Sequence, residues 1–398
     1  MKKSLFHNNP LCQEGALFYK AHMLFFLMKT TMNPILQLKT RLLCEGLNPD
    51  RDVEELFLAQ NPSRALRGGL SSGGKFCLQN GVFVNAPFYR QRFVPLKAVL
   101  DPSREQGFWI VDENTGVTYE AAALVPPAWY QQTVAGFPIT KIITAHNRQL
   151  AAAIYENCAL FAIGSQCRFC VMNHSLEDKE PALVLKKPEL LLAALAKIPL
   201  AEYGGLTLNG GMTLNSGRGM ELLFIAVEAI KQRYPDLPIA VESAPPKNLS
   251  WIDCLAAAGA NGLMMNLECW DEDIRATLIP GKSHFCSRDQ YMRAFERALT
   301  KIGEGKVSTC FVVGSERKAS LLQGIKAVVE MGVIPSPLAG RFFEDIPDYP
   351  FVPQLDWQDF LEVIQVTAQL MRQHKLLSAD KAGCVACGMC DLIKNLMP

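Results

Sequence analysis

Apolar and polar positions follow two different rhythms along the chain. Between about 34 and 141, short apolar runs are separated by turn signals, for example Asn80-Gly81 between the runs 76–78 and 82–84. An Asn-Gly pair between two such runs is typical of a β-hairpin. This rhythm predicts a small, mostly β accessory domain at 34–141.

After about position 142, short apolar runs alternate with longer segments whose apolar residues recur every three or four positions. The runs predict strands at 152–154, 206–209, 239–242, 263–267, 309–313 and 333–335. The longer segments predict helices at 189–196, 219–233, 287–302 and 318–331. Such alternation indicates a parallel sheet with right-handed crossovers. About six units predict an α/β fold, a partial (β/α)6-type TIM barrel at 142–375, with ligands at the carboxyl ends of its strands.

Composition narrows the function classes. The 398 residues carry a net charge of +1 and contain no basic run, which argues against a nucleic-acid partner. Small-molecule or peptide-like substrates are favoured instead. The apolar stretch within 1–33 is interrupted by Lys20 and His22 and is too short for a bilayer, so we expect a leader or poorly ordered segment, or a true start at Met32. A cytoplasmic protein without a membrane partner is expected.

Six of the 13 cysteines form two groups of three: Cys158, Cys167 and Cys170, then Cys384, Cys387 and Cys390. Clustered thiols in a chain without a secretory cleavage pattern suit metal better than disulfides. Three thiolates are too few for a closed tetrahedral zinc site but fit a [4Fe-4S] cluster with one iron open to a small molecule.

The segment Cys167-Arg168-Phe169-Cys170 resembles the end of the cluster loop in the radical S-adenosylmethionine (SAM) superfamily, although eight residues separate Cys158 from Cys167 and lengthen the loop. The resemblance implies a [4Fe-4S] cluster that binds SAM and cleaves it reductively. The resulting 5′-deoxyadenosyl radical would remove hydrogen from an unactivated carbon. An electron donor such as flavodoxin or ferredoxin is implied, and Phe169 would lie beside the adenine.

Further motifs follow the predicted strands. Gly210-Gly211 occupies the place of a Gly-Gly-Glu motif that holds the methionine amino group in the superfamily, but Met212 replaces the acid, so only a backbone role carries over. The run Asn266-Leu267-Glu268 resembles biotin synthase and lipoyl synthase. That resemblance implies that Asn266 and Glu268 bind ribose hydroxyls, and strand alternation would place both side chains on one face.

Two more residues complete the predicted SAM site. Arg275 would pair with the methionine carboxylate, or else lie on a solvated helix face. Gly314 belongs to an element that resembles the one beside the adenine in the same superfamily.

The C-terminal segment 376–398 lies outside the barrel pattern and carries the second cysteine group at ferredoxin-like spacing without a fourth cysteine. Ser378, Asp391 or an exogenous molecule would supply the fourth ligand. The resemblance to lipoyl synthase implies that the second group holds an auxiliary [4Fe-4S] cluster. It also implies that this cluster supplies sulfur for insertion into a small-molecule or protein-bound acyl substrate. A structural zinc site at the tail is the alternative there. For the whole chain, the alternatives are a non-catalytic iron-sulfur or zinc scaffold and an electron-transfer protein.

The two cysteine groups predict an iron stoichiometry. After anaerobic reconstitution we expect about eight irons per chain, because each group holds its own cluster. Replacing Cys158, Cys167 and Cys170 with alanine should leave about half of that iron. Iron analysis that gives none in this variant would indicate one shared site, and zinc at the tail after aerobic purification would contradict the auxiliary cluster.

Overall fold

The computed structural model describes residues 32–60, 73–172, 183–344, 346, 349–376 and 383–397. Most of the expected leader at 1–33 therefore lies outside the described residues. Two sheets, of six and seven strands, account for most of the strand structure in these ranges.

The first part of the chain forms the six-stranded sheet, in the order β1-β4-β5-β6-β2-β3. Its strands are β1 (Asn48–Pro49), β2 (Gly74–Leu78), β3 (Val82–Ala86), β4 (Leu96–Leu100), β5 (Gly107–Asp112) and β6 (Thr118–Ala123), with helices α1 (Pro34–Glu45) and α2 (Arg51–Gln60). Asn80 and Gly81 have φ angles of 60° and 70°, which close the β2–β3 hairpin as their sequence predicts. The mostly β character expected of this region is confirmed.

The second sheet has the order β15-β14-β13-β12-β11-β10-β9, so neighbours in the sheet are neighbours along the chain. Its strands are β9 (Thr144–His146), β10 (Gln149–Tyr155), β11 (Gly205–Gly210), β12 (Ile239–Glu242), β13 (Gly262–Met264), β14 (Val307–Val313) and β15 (Ile334–Ala339), after a small hairpin of β7 (Thr133–Val134) and β8 (Phe137–Pro138). Strands β10 to β15 pair in parallel, and β9 is an antiparallel edge. This singly wound order confirms the predicted partial barrel.

Helices form the crossovers between the parallel strands. They are α3 (Ala159–Ala162), α4 (Pro188–Leu195), α5 (Met220–Arg233), α6 (Ser250–Ala257), α7 (Glu272–Leu278), α8 (Pro280–Phe285), α9 (Arg288–Ile302) and α10 (Lys318–Met331), followed by α11 (Trp357–Gln373), α12 (Cys384–Cys387) and α13 (Ile393–Leu396). In α9 the Ser287 hydroxyl caps the first turn, and Tyr291, Ala294, Phe295 and Ala298 are buried at helical spacing. No helix in the described ranges is long and apolar enough to cross a bilayer.

The C-terminal segment enters the gap between the two edges of the barrel. The Ser336 hydroxyl, on β15, donates to Asp391 Oδ2 at 2.9 Å, and the Cys387 thiol lies 3.5 Å from the carbonyl oxygen of His146 on β9. A Cβ atom placed on Gly383 would lie 3.3 Å from Ala240 Cβ on β12. The tail, which the strand-helix pattern of the sequence does not include, thus contacts barrel strands that are far away in sequence.

Candidate metal and cofactor site

The loop with the first three cysteines starts where β10 ends. Asn157 Oδ1 accepts a hydrogen bond of 2.7 Å from the Cys158 N–H, and the short helix α3 follows. The chain then turns back, with the Ser165 N–H donating to Leu160 O at 2.8 Å and the Cys170 N–H to Cys167 O at 3.0 Å. The three cysteines are thus placed at the carboxyl edge of the parallel strands, where barrel proteins bind ligands.

Backbone contacts from the segment before α9 fix this loop. The Arg168 N–H donates to Leu278 O at 2.8 Å, and the Gly281 N–H donates to Ser165 O at 2.9 Å. A Cβ atom on Gly281 would lie 2.4 Å from that same Ser165 oxygen, so only glycine permits the approach. The Pro280-Gly281 pair therefore holds the cysteine loop in place.

Gly210 and Gly211 make a comparable contact from the end of β11. The Gly211 N–H donates to Tyr155 O at 2.8 Å, and the Ala159 N–H donates to Met212 O at 2.8 Å. A Cβ atom on Gly211 would lie 1.6 Å from the Asn157 carbonyl oxygen, whereas one on Gly210 would lie 3.3 Å from the Tyr155 backbone. The glycine pair thus packs against the start of the cysteine loop, while its predicted contact with methionine stays a prediction.

Cys167 is buried, Cys158 and Cys170 are half-buried, and charged side chains lie near them. Burial raises the pKa of Cys167 well above its ordinary value and that of Cys170 to about 11. Cys158, Cys170, Glu268 and Lys282 all interact electrostatically with Cys167. A metal that binds here must displace protons from these thiols.

The donor set fits a cluster better than a single ion. Within the described ranges, no three His, Cys, Asp or Glu side chains form a group that could hold one metal ion. Thiolates that hold an iron-sulfur cluster attach to its separate irons and need not converge on one point. Cys158, Cys167 and Cys170 interact electrostatically with one another, and three separate thiolates are the ligand set of a cluster with an open iron.

Glu268 is buried beside these thiols in an unusual conformation. Its φ of 73° is uncommon for a residue with a side chain, and it is 5% exposed. Glu268 Oε1 accepts a hydrogen bond of 2.6 Å from Lys282 Nζ, whereas the buried Oε2 accepts none from the residues that the structure describes. Burial lowers the pKa of Lys282, but Glu268 and the nearby Tyr291 and Cys167 outweigh this and leave it well above the ordinary value. A buried acceptor without a partner is a natural place for a ligand hydroxyl.

Both polar atoms of the Asn266 side-chain amide are hydrogen-bonded. Its Nδ2 donates to Glu242 Oε1 at 2.5 Å, and its Oδ1 accepts from the Cys310 N–H at 3.3 Å. Burial raises the pKa of Glu242, although the bond from Asn266 acts in the opposite direction. Asn266 therefore lies at the carboxyl edge, with its side chain bridging β12 and β14.

The strand argument for Asn266 and Glu268 was wrong in its geometry. Strand β13 ends at Met264, and the positive φ of Glu268 breaks the alternation that was expected to put both side chains on one face. The Glu268 N–H still donates to Cys310 O at 2.9 Å, and its carbonyl accepts from the Val312 N–H at 2.7 Å. Both residues stay at the strand edge because β14 holds their backbone.

Arg275 is fully buried and braces the turn around it. Its guanidinium donates to the carbonyl oxygens of Leu267 at 2.7 Å, Cys269 at 3.2 Å and Cys286 at 3.0 Å. It also stacks on the Tyr291 ring at 5.3 Å. This arrangement corrects both expectations for Arg275, because the side chain neither faces an open site nor lies on a solvated helix face.

Phe169 and Gly314 lie under the segment 349–355. The Phe169 ring meets Phe351 edge to face at 5.9 Å, and its carbonyl accepts from the Tyr349 hydroxyl at 2.8 Å. Gly314, with a φ of 93°, accepts a hydrogen bond of 3.0 Å from the Gln354 N–H. Their predicted position beside an adenine stays a prediction.

The second cysteine group is described in part. Cys387 and Cys390 are half-buried, whereas Ser378 and the side chain of Cys384 lie outside the described residues. Burial raises the pKa of Cys387 to about 12. Asp391, a predicted fourth ligand, is buried and accepts from the Ser336 hydroxyl and from the Ile393 N–H.

Sequence reasoning missed the basic residues at both cysteine groups. Lys282 directly follows Pro280 and Gly281, the pair that contacts the cysteine loop. Lys39, Lys75 and Arg341 surround the second group, but they come from distant segments without a shared motif. Only the folded chain reveals them.

Comparisons with known proteins found partial likeness in sequence and in structure. No family model matches the chain. Bacteriochlorophyllide c C-7(1)-hydroxylase of Chlorobaculum limnaeum is 24% identical over 247 residues, which is 56% of this chain and 60% of that protein. The chain thus spans about three fifths of the length of this curated relative.

Solved structures with partial likeness include three enzymes. Coproporphyrinogen III oxidase (HemN) from Escherichia coli, described as a radical SAM enzyme, has a TM-score of 0.37 and 18% identity over 52% of this chain and 50% of its own. Methylornithine synthase (PylB) has a TM-score of 0.44 and 19% identity over 60% and 69%. A radical SAM methyltransferase from Sphaerobacter thermophilus has a TM-score of 0.44 and 13% identity over 72% and 76%. None of these four proteins is described as a biotin synthase or a lipoyl synthase.

The approach of Gly211 to the cysteine loop can be tested. In Gly211→Ala we expect lower iron retention at the first cysteine group and a free energy of unfolding reduced by about 1 to 3 kcal/mol, because the new Cβ must displace the Asn157 backbone. The neighbouring Gly210→Ala is the matched control, since its Cβ would lie 3.3 Å from the Tyr155 backbone and require a much smaller shift than the 1.6 Å contact at Gly211. Equal iron retention and unfolding temperature in the two variants would contradict the packing role.

Proposed function

We propose that this chain is a radical SAM enzyme whose [4Fe-4S] cluster is held by Cys158, Cys167 and Cys170. The single observation that carries the proposal is the meeting of this loop with the buried Glu268–Lys282 pair at the carboxyl edge of a partial barrel. When bound, the cluster and SAM supply reductive cleavage and hydrogen abstraction from an unactivated carbon.

The residues around the thiols have separate tasks in this proposal. Glu268 Oε2 offers a buried acceptor to a ribose hydroxyl, and Lys282 holds the other carboxylate oxygen in place. Asn266 fixes Glu242 at the neighbouring strand end. Gly211 and Gly281 hold the loop from two sides, so that the thiols keep their positions as SAM binds.

The lumen of the barrel supports a small substrate. A cavity of about 190 Å³ lies between the strands and the tail, and its walls include Thr207, Glu242, Ser308, Gly383 and Val385. The cavity extends from Glu242 and Met264, at the carboxyl ends of β12 and β13, to Gly262 and Lys306 at the amino ends of β13 and β14, and in this proposal a small molecule or the end of a protein-bound acyl chain enters it from the carboxyl end. A flavodoxin or ferredoxin would donate the electron, and the near-balanced charge of the chain argues against a nucleic-acid partner.

Sulfur insertion is the finer hypothesis, and it depends on an auxiliary cluster at Cys384, Cys387 and Cys390. Its support is the position of the tail inside the barrel gap, next to the cavity that Gly383 and Val385 line. A sulfur donor must lie near the carbon that loses hydrogen. A scaffold or electron-transfer protein needs neither the cavity nor the buried acceptor on Glu268.

SAM binding tests the role of Glu268. In Glu268→Gln we expect SAM affinity to fall by about 1 to 3 kcal/mol through the loss of a buried charged acceptor, with the iron content unchanged. Glu330→Gln, on an exposed helix face, is the matched control. Unchanged affinity in both Glu268→Gln and Asn266→Ala, measured by equilibrium binding, would show that ribose binds elsewhere.

The tail cysteines test the division of roles. Replacing Cys384, Cys387 and Cys390 with alanine should preserve slow formation of 5′-deoxyadenosine, because SAM cleavage needs only the first cysteine group. The sulfur-containing product should be lost. The measurement is chromatography of nucleosides after anaerobic reduction with dithionite. If this variant keeps its first cluster but no longer cleaves SAM, the tail belongs to the primary site or its electron supply and the sulfur-donor hypothesis should be dropped.

A further inference from the structure

A carboxylate from the C-terminal half of the chain is bound by the N-terminal domain. Glu344 Oε2 accepts hydrogen bonds from the N–H groups of Arg90 at 2.8 Å and Gln91 at 3.0 Å. Its Oε1 accepts a third hydrogen bond from the Arg92 N–H at 3.2 Å. Successive backbone N–H groups that point to one place form a concave site for an anion. These three bonds attach Glu344 to the loop between β3 and β4.

That loop is itself packed within the N-terminal domain. The Tyr89 N–H donates to Leu47 O at 3.1 Å, and the Tyr89 side chain is 3% exposed. The Tyr89 hydroxyl accepts a hydrogen bond of 3.3 Å from the Phe342 N–H. The chain near β15 is therefore attached to this loop at two positions, Phe342 and Glu344.

Four apolar or aromatic side chains near Glu344 lie against the first cysteine loop. The Tyr349 hydroxyl donates to Phe169 O at 2.8 Å, and the Phe351 ring meets the Phe169 ring edge to face at 5.9 Å. Cys167, in the same cluster, is 8% exposed. We call these four side chains the cover: Phe343, Ile346, Tyr349 and Phe351.

The cover belongs to a small hydrophobic cluster that is separate from the main core. A small cluster of this kind can open locally while the rest of the protein stays folded. Hydrogen bonds to an ionised group are among the stronger ones in proteins, so the Glu344 carboxylate is a firm attachment point beside the cover. Closure of the cover thus depends on the N-terminal domain as well as on apolar packing.

We infer that the N-terminal domain anchors the cover over the first cysteine group, with Glu344 as the positioning residue that keeps it closed. The inference rests on the proposed function, because the cover would shield the proposed SAM-binding cluster. An apolar shell around a metal site controls the access of solvent to it. The six-stranded sheet thereby gains a function in the reaction of the barrel, which is to protect the first cluster.

Thiol alkylation tests the anchor in the full chain without iron and in reduced form. Glu344→Ala removes the bound carboxylate, and Glu113→Ala is the matched control, because Glu113 pairs with Lys97 at the surface of the same domain. We expect Cys167 to be alkylated about tenfold faster in Glu344→Ala, since modification of a buried thiol follows the population of its locally open state. Mass spectrometry of the digested protein follows each cysteine separately.

Two cysteines of the main core report whether the change is local. Cys44 and Cys286 are buried in that core, and their alkylation rates should stay the same in Glu344→Ala. A parallel rise at Cys44, Cys167 and Cys286 would indicate general destabilisation and overturn the inference. Equal rates at Cys167 in Glu344→Ala and Glu113→Ala would overturn it as well. Glu344→Gln keeps one accepting oxygen and should give a smaller rise, and it decides the question if the alanine variant does not fold.

The reconstituted chain separates this inference from the proposed function. With Cys384, Cys387 and Cys390 replaced by alanine, we expect the visible absorbance of the first cluster to decay in air about tenfold faster when Glu344→Ala is added than when Glu113→Ala is added. Absence of iron from the parent variant would refute the proposed function, and the alkylation rates would still decide the role of Glu344. Retained iron with equal decay rates would overturn the inference that the cover shields the cluster.

Discussion

The contact of Gly211 with the Asn157 backbone is the constraint on which the site depends. Parallel pairing of β10 with β11 brings two strand ends together, and the absence of a side chain at Gly211 lets one end close on the other. The cysteine loop starts from that closed junction. Gly281 then fixes the far side of the loop by a close approach to Ser165, where a Cβ would lie 2.4 Å from the carbonyl oxygen. Two glycines thus set the space in which three thiols can act together.

Buried charge gives that space its chemistry. Glu268 and Lys282 form a pair that the interior tolerates because each neutralises the other, yet one carboxylate oxygen keeps unused accepting capacity. A backbone with positive φ at Glu268 holds the carboxylate in place at a cost in conformational energy. Glu268 thus combines backbone strain with an unsatisfied acceptor. This combination is typical of a ligand-binding residue, and an ion pair that only stabilises the fold does not need it.

Local patterns predicted the barrel because its strands and helices are encoded by nearby residues. The helix 318–331 and the strand 239–242 have the predicted bounds, and the Asn80-Gly81 hairpin followed from turn chemistry alone. The strand predicted at 263–267 ends early because Glu268 takes up a conformation that side-chain pattern does not encode. Arg275 was expected to bind a carboxylate or to face solvent because it is charged. In the fold, its guanidinium instead donates hydrogen bonds to three backbone carbonyl groups.

The contacts of the tail could not be predicted for a different reason. Lys39 and Gly388 are 349 positions apart, and no sequence pattern in either segment indicates a contact with the other. A partial barrel has two unpaired edges, here β9 and β15, and its lumen would be open between them. The tail occupies that gap, and the six-stranded sheet covers the tail from outside through Asn85. A barrel that leaves its side open exposes its lumen to water, and this chain closes that side with the two regions that its barrel pattern does not include.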